Sequence, residues 1–216
     1  MSRIFLGTVR LFPEQPPFFG PTQMRTTTLI RSLALVGIAL STEAEAQGSR
    51  LTAAASTRAT TVVSLSTPRV QGQPAPTPLT IKVDYGQPHV RGRAGLPTEL
   101  AKDGTVWRVG ANAATTLTTE VDLTIGGAEV PKGAYSLYAI REGGKALLII
   151  NKNTGQWGTE YDASKDLARV PLTTRTAAES LESLQIALVP AASGPARGVL
   201  SIAWGTMALA TEWVVR

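Results

Sequence analysis

The segment Val106–Thr118, with the sequence VWRVGANAATTLT, carries the densest group of potential ligand-binding side chains. Arg108 offers a bidentate fork for a carboxylate or phosphate, Asn112 offers an amide, and Thr115 or Thr116 adds a hydroxyl. A second interpretation fits the same residues, and the sequence favours it over the first. Arg108 and Asn112 would then pin loops across the mouth of the fold through bonds to the backbone. The sequence leaves both interpretations open.

Two aromatic positions extend this candidate site. Trp157 follows the turn Asn153–Gly155 in NKNTGQWG, so its ring either closes the core or stacks on a sugar ring. Tyr135 and Tyr138 lie on opposite faces of a predicted strand, so at least one of them faces away from the main core. The candidate ligand-binding residues are therefore Arg108, Asn112, Thr115, Tyr135 and Trp157.

The chain lacks recognisable catalytic and cofactor motifs. Its one histidine, His89, lies in YGQPHVRGR, and no HExxH pair, G-x-S-x-G elbow, phosphate loop or dinucleotide fingerprint is present. A serine triad would have to use His89, which we interpret instead as a surface hydrogen-bonding residue. With Arg91 and Arg93 it forms a local basic cluster that suits either an anionic partner or an ordinary solvated loop. We predict no catalytic residues, no cofactor and no metal.

Carboxylates are the remaining candidates for acid–base chemistry. Asp162 and Asp166 lie close together with Glu160 nearby, but their spacing does not follow the EF-hand pattern, which favours a solvated loop. Glu120 and Asp122 share the polar side of an alternating run. Whether any pair is spaced and buried for catalysis cannot be read from the sequence. A hydrolase or isomerase using Asp/Glu with Arg108 and Asn112 is therefore the alternative to a binding function.

The elements that must position these residues are strands. From Leu79 onward, apolar and polar residues alternate, as in Ile81–Tyr85 and Leu117–Ile125, with turns at glycine pairs such as Gly126–Gly127. Ala146–Ile150 is apolar on both faces, which is typical of a strand covered on both sides. Only Ala177–Ser183 suggests a helical turn. The pattern predicts an all-β fold, an antiparallel β-sandwich or jelly-roll-like barrel of about nine strands.

The N-terminal region reads as an export signal followed by a leader. Residues 24–46 combine basic residues, a short apolar run and the small-x-small pattern Ala44–Ala46, which predicts a signal peptide. We interpret residues 1–23 as a mis-assigned upstream start; a long n-region is the alternative. Residues 47–78, rich in Ser, Thr, Ala and Pro, are predicted to be a flexible leader, within which Thr61–Leu65 could add an edge strand. The sandwich domain is placed at residues 79–216.

Composition limits the partners and the compartment. The chain has no cysteine, which excludes disulfides, iron–sulfur sites and thiol nucleophiles. Its formal net charge of +5 is spread along the chain, so nucleic acid is not a predicted partner. No later apolar run is long enough to span a bilayer, so the mature chain is expected to lack a transmembrane segment. Cleavage near Ala46 would deliver a periplasmic or secreted protein.

Three blocks of this sequence resemble a bacterial family of exported proteins, domain-of-unknown-function family 2911. They are WRxGAN, GxYSL and NKxxxQWG, and the resemblance runs from about Val83 to the C-terminus. It implies a fold unit and a compartment, and no activity. The prediction is an exported, non-enzymatic β-sandwich that acts as a binding or envelope-associated module. Its partner would be an unknown small molecule, a glycan or an envelope protein.

Overall fold

Ten antiparallel strands form two sheets in the computed structural model, which describes residues 52–92 and 102–216. The strands are β1 (Arg58–Leu65), β2 (Leu79–Gly86), β3 (Thr115–Thr119), β4 (Leu123–Ile125), β5 (Ala128–Val130), β6 (Gly133–Glu142), β7 (Lys145–Asn151), β8 (Asp166–Pro171), β9 (Thr173–Pro190) and β10 (Arg197–Val215). One short 3-10 turn, Ala163–Lys165, precedes β8. The predicted all-β fold class is confirmed.

The two sheets pack face to face as an open sandwich. One has six strands in the order β1-β2-β3-β6-β7-β8, and the other has four in the order β5-β4-β10-β9. They are not closed into a barrel, so the sandwich is the correct one of the two predicted architectures. The core between them contains the buried apolar side chains of both inner faces, including Ile81, Leu117, Leu137, Ile202 and Trp213.

The predicted alternation determines which residues face the core. In β2, Ile81, Val83 and Tyr85 point inward, while Lys82 points to solvent and Asp84 is half-buried on the outer face. The strand β7 is covered on both sides, as its continuous apolar sequence predicts. Leu148 and Ile150 belong to the main core, whereas Ile149 packs with Tyr138 and Ile140 in a second cluster on the outer face.

The six-stranded sheet begins inside the segment that the sequence predicts to be a leader. All eight residues of β1 pair with β2, from Arg58 opposite Gly86 to Leu65 opposite Leu79. The apolar alternation around Val63 is therefore an edge strand of the sheet. Residues 66–78 contain no strand or helix and are exposed throughout. Residues 1–51, which include the predicted signal peptide, lie outside the described part of the chain.

The segment Ala177–Ser183 is part of β9, so the predicted helical turn there is wrong. Gly205 of β10 pairs with Leu181, while Met207 pairs with Thr176. The longer stretch of β9 between these pairs forms an irregular bulge. Gly205 has φ = 56°, which a glycine adopts without strain, and it marks the same irregularity on β10. Pairing with β10 therefore overrides the local preference of this segment.

Substituting Val63 tests whether β1 belongs to the fold. Its side chain is 8% exposed and reaches the core, whereas Val62 is 50% exposed on the outer face. We expect Val63→Ala to lower the free energy of unfolding by about 2 kcal/mol, because it removes buried apolar groups. Val62→Ala should change it by about 0.5 kcal/mol or less. Urea unfolding measures both, and equal small effects would contradict the placement of β1.

Candidate functional site

The three sequence blocks meet on the outer face of the six-stranded sheet. Trp107 pairs with Ala139 of β6 through two backbone hydrogen bonds of 2.7 and 2.8 Å. Because the pairing is antiparallel, Arg108 lies opposite Tyr138, and both side chains occupy the outer face. Trp107 itself points inward, where it stacks on Trp204 with 6.2 Å between ring centroids. The first and second blocks are thus direct neighbours.

Between Trp107 and β3 the chain makes a tight turn through Val109–Ala114. Val109 is buried with φ = 45° and Asn112 has φ = 62°, a left-handed conformation that is costly for a β-branched residue. The hydroxyl of buried Thr115 donates to the Val109 carbonyl at 2.7 Å and holds this strained residue in place. The amide of Ala111 donates to the carbonyl of Gly86 at 3.2 Å, and a side chain at Gly86 would overlap the Ala111 carbonyl.

The third block pairs with this turn. The amide of Ala114 donates to the Gln156 carbonyl at 3.1 Å, and the amide of Gly158 donates to the Asn112 carbonyl at 2.9 Å. These two bonds flank the bridge between Ala113 and Trp157. The turns of the first and third blocks therefore form one small backbone ladder, and we call the surface around it, with the adjacent outer face of β6, the three-block surface.

Asn151 fixes the loop that carries the third block. Its side chain is fully buried, and its Nδ2 donates to the Asp162 carbonyl and to an Asp166 carboxylate oxygen, each at 2.8 Å. Its Oδ1 accepts from the Asn153 amide at 2.9 Å. Both N–H groups and the carbonyl oxygen of the Asn151 side chain are thus in use. These bonds hold the two ends of the loop between residues 151 and 166 together.

Gln156 reaches from this loop down to the sheet. Its Nε2 donates to the Ser136 hydroxyl at 3.1 Å and to the Tyr138 hydroxyl at 2.9 Å. Its Oε1 is buried and has no hydrogen-bond partner. If the side-chain oxygen and nitrogen of Gln156 were exchanged, the nitrogen would take the buried position and would have no partner there. This amide is therefore one partner short in either orientation, which is costly at a buried position.

Two side chains of the three-block surface remain available to a ligand. In the part of the chain that the structure describes, the guanidinium of Arg108 has no ion-pair or hydrogen-bond partner. The stem of Arg108 packs on Gly158, where a Cβ would lie 2.8 Å from the arginine Cδ. Trp157, the preceding residue, is 51% exposed. A cation and an aromatic ring therefore flank the same turn.

The other predicted site residues have structural partners. The Asn112 amide donates to the Ser56 carbonyl at 3.3 Å, and the Thr115 hydroxyl is enclosed. Tyr135 points into the main core, and its hydroxyl donates to the Pro131 carbonyl at 2.8 Å. The structure thus brings Arg108, Asn112 and Trp157 together, places Thr115 beneath them, and puts Tyr135 on the opposite face of the sheet.

The basic cluster forms a separate contact with β9. His89 pairs with Ser183 as a β-bridge, and its Nδ1 lies 2.7 Å from the Ser183 hydroxyl oxygen. The backbone amide of Arg91 donates to a Glu182 carboxylate oxygen at 2.8 Å. These bonds fasten the chain after β2 to the second sheet. Arg93 lies outside the described residues.

The candidate carboxylates also serve local structure. Asp162 caps the 3-10 turn by accepting from the amide and hydroxyl of Ser164. Asp166 accepts from Asn151, Tyr161 and Arg169. Within residues 52–92 and 102–216, no group of three His, Cys, Asp or Glu side chains is arranged to hold a metal ion. In the same ranges, no helix is long and apolar enough to cross a membrane.

Comparison with known proteins places these features in a family. The family model described as "Protein of unknown function (DUF2911)" matches residues 67–212, which include all three blocks, the eight strands β2 to β9 and most of β10. The chain belongs to the DUF2911 family. No curated protein matches the chain, and no solved structure matches it. The strand β1 precedes the matched region, so in this DUF2911 protein the sheet extends beyond the family match.

The fold of this DUF2911 protein also aligns a row of polar residues that the sequence analysis missed. Successive strand registers place one residue from each strand of the six-stranded sheet side by side. The row is Thr60, Asp84, Thr116, Ser136, Asn151 and Asp166. The loop of the third block covers Ser136 and Asn151, whereas Thr60 is exposed and Asp84 and Thr116 are half-buried. The polar row thus has a covered half and an open half.

A groove lies elsewhere on the DUF2911 domain. It has a volume of about 760 Å³ on the four-stranded sheet, and its lining is mostly apolar, with Arg175 and Glu212 as the charged members. No residue of the three blocks lines it. We place the candidate site at the three-block surface because unpaired polar groups and backbone strain coincide there, whereas the groove has a lining of mainly small side chains.

Tyr161 gives a pH test of the loop that carries the third block. Burial, followed by its hydrogen bond to Asp166, raises the pKa of Tyr161 to about 12. The unfolded chain therefore loses this proton first, so the contribution of Tyr161 to stability is complete below pH 10 and declines between about pH 10 and 12. We expect Tyr161→Phe to be less stable by about 1 kcal/mol at neutral pH and to lose less stability than the parent over that alkaline range. Urea unfolding at pH 7, 10 and 11.5 measures this, and parallel losses in the two proteins would contradict it.

Proposed function

We propose that this DUF2911 protein is an exported, non-enzymatic binding module whose ligand site is the three-block surface. One observation carries the proposal. Three blocks that are distant in sequence converge on a turn where Arg108, whose guanidinium has no partner within residues 52–92 and 102–216, lies beside a half-exposed indole, Trp157. An arginine on this surface binds an anionic group through charge-assisted hydrogen bonds, and the ring adds an apolar contact.

Strain and unsatisfied polarity at the same place support a functional surface. Val109 and Asn112 hold left-handed conformations within the four residues after Arg108, and the Gln156 amide lacks one partner. Such costs persist only where the surrounding structure imposes them, and they cluster at sites that contact ligands. Asn112 and Thr115 contribute by holding the turn, so Arg108 is presented on a rigid support.

Binding is favoured over the alternative of a hydrolase or isomerase. The carboxylates nearest the surface in the polar row, Asp84 and Asp166, are held by arginines and hydroxyls. His89 is bonded to Ser183 on the second sheet. Glu160 adjoins Trp157, and its carboxylate has no hydrogen-bond partner among the described residues, but a single carboxylate does not supply both a general acid and a general base. The export part of the proposal rests on the signal-like segment 24–46.

A thermal-shift screen of the full chain tests the binding function. The probes are saccharides, sugar acids, nucleotides, organic acids and divalent ions. A ligand present at about 100 times its dissociation constant should raise the midpoint of unfolding by roughly 5–10 °C. Arg108→Ala and Trp157→Ala should keep their own midpoints close to that of the parent, since both side chains are partly or largely exposed, and should lose the ligand-induced shift.

Arg175→Ala provides the matched control, because it removes an arginine from the other sheet. It should retain the full ligand-induced shift. If every active ligand shifts Arg108→Ala and Trp157→Ala as much as the parent, the three-block surface is not the site. If Arg108→Ala lowers the midpoint strongly without ligand, its role is to hold the fold, as the alternative interpretation of the sequence supposes.

A further inference from the structure

We infer that the ligand of the three-block surface is an anionic polysaccharide that binds along the open half of the polar row. This inference rests on the proposed function. The juxtaposition that points to it is an exposed tryptophan, an arginine without a partner among the described residues, and a row of polar side chains, all on the outer face of the six-stranded sheet. Each of these features limits the ligand in a different way.

The shape of the surface favours a polymer. Small-molecule sites are concave and cover most of the ligand surface. Trp157 is instead 51% exposed, and the groove of about 760 Å³ lies on the other sheet. A ligand that rests on an open surface must gain its affinity from several separate contacts along its length. An extended chain of repeating units meets that requirement.

The aromatic ring and the polar row favour sugar units. The flat face of an indole packs on the apolar face of a sugar ring, while hydroxyl and carboxylate side chains bond to its hydroxyl groups. The row crosses six strands, which at about 4.8 Å per strand spacing spans roughly 24 Å. Its open half, Thr60, Asp84 and Thr116, lies on β1, β2 and β3, and the turn of Trp157 pairs with the residues that lead into β3.

The charges favour an anionic sugar over a neutral one. The open half and its immediate neighbours carry Arg58, Lys82 and Arg108 against two carboxylates: Asp84, which is already paired with Arg58, and Glu160, whose amide donates to the Trp157 carbonyl. Glu120, one row further along, is held by the amide and hydroxyl of Thr80. Lys82 and Arg108 therefore remain to meet carboxylate or phosphate groups on the ligand.

The experiment measures binding of the full chain to polygalacturonate, with galacturonate, inorganic phosphate and neutral dextran as comparison probes. Calorimetry or gel-retardation electrophoresis should show binding to polygalacturonate, at least tenfold weaker binding to dextran, and little response to the monomer or phosphate. Arg108→Ala and Trp157→Ala should each weaken binding about tenfold or more. Arg175→Ala, with the same charge change on the other sheet, should bind as the parent does.

The possible failures are distinguishable. Equal losses for Arg108→Ala and Arg175→Ala would show diffuse charge attraction and overturn the inference. Equal binding of dextran and polygalacturonate would overturn the anionic part. If no polymer binds, but a small molecule from the thermal-shift screen depends on Arg108 and Trp157, the proposed function stands and the polysaccharide is wrong. If nothing that binds depends on these residues, both are wrong.

Discussion

Two backbone hydrogen bonds, from Ala114 to the Gln156 carbonyl and from Gly158 to the Asn112 carbonyl, are the constraint on which the rest of the site depends. They join the turn that leads into β3 with the loop that follows β7. Without them, Trp157 would have no fixed position and Gln156 would not reach the sheet. Backbone bonds of this kind need no particular side chains, but they need a chain path that brings the two turns together.

Several residues around this junction allow the chain to follow that path. Gly86 has no side chain, which leaves room for the Ala111 carbonyl. Gly158 leaves room in the same way for the stem of Arg108. Asn151 closes the loop from below, and Thr115 holds the strained residue Val109. The specific residues of the three blocks therefore serve mainly to build the surface. Arg108 and Trp157 are the exceptions, because their functional groups extend beyond the junction they help to form.

The sequence predicted the fold class because alternation at a period of two is set by the strand itself. It also predicted the covered strand β7, whose residues are apolar on both faces. The sequence predicted the candidate site less completely than the fold class. Gln156, Ser136 and Asn151 look like ordinary polar residues until the strand register aligns them, and register depends on contacts between distant segments. Tyr135 and Tyr138 were separated correctly onto two faces, but only the structure shows which face lies against the core.

The most direct test of the account is hydrogen exchange at the Gly158 amide in the native protein. If the junction organises the three-block surface, the amides of Gly158, Ala114 and Trp107 should be protected together, although Gly158 lies in a loop. Asn151→Ala should then release Gly158 and Ala114 while Trp107 stays protected by its bonds to β6. Exchange of Gly158 at the rate of an unstructured chain in the parent protein would contradict the account.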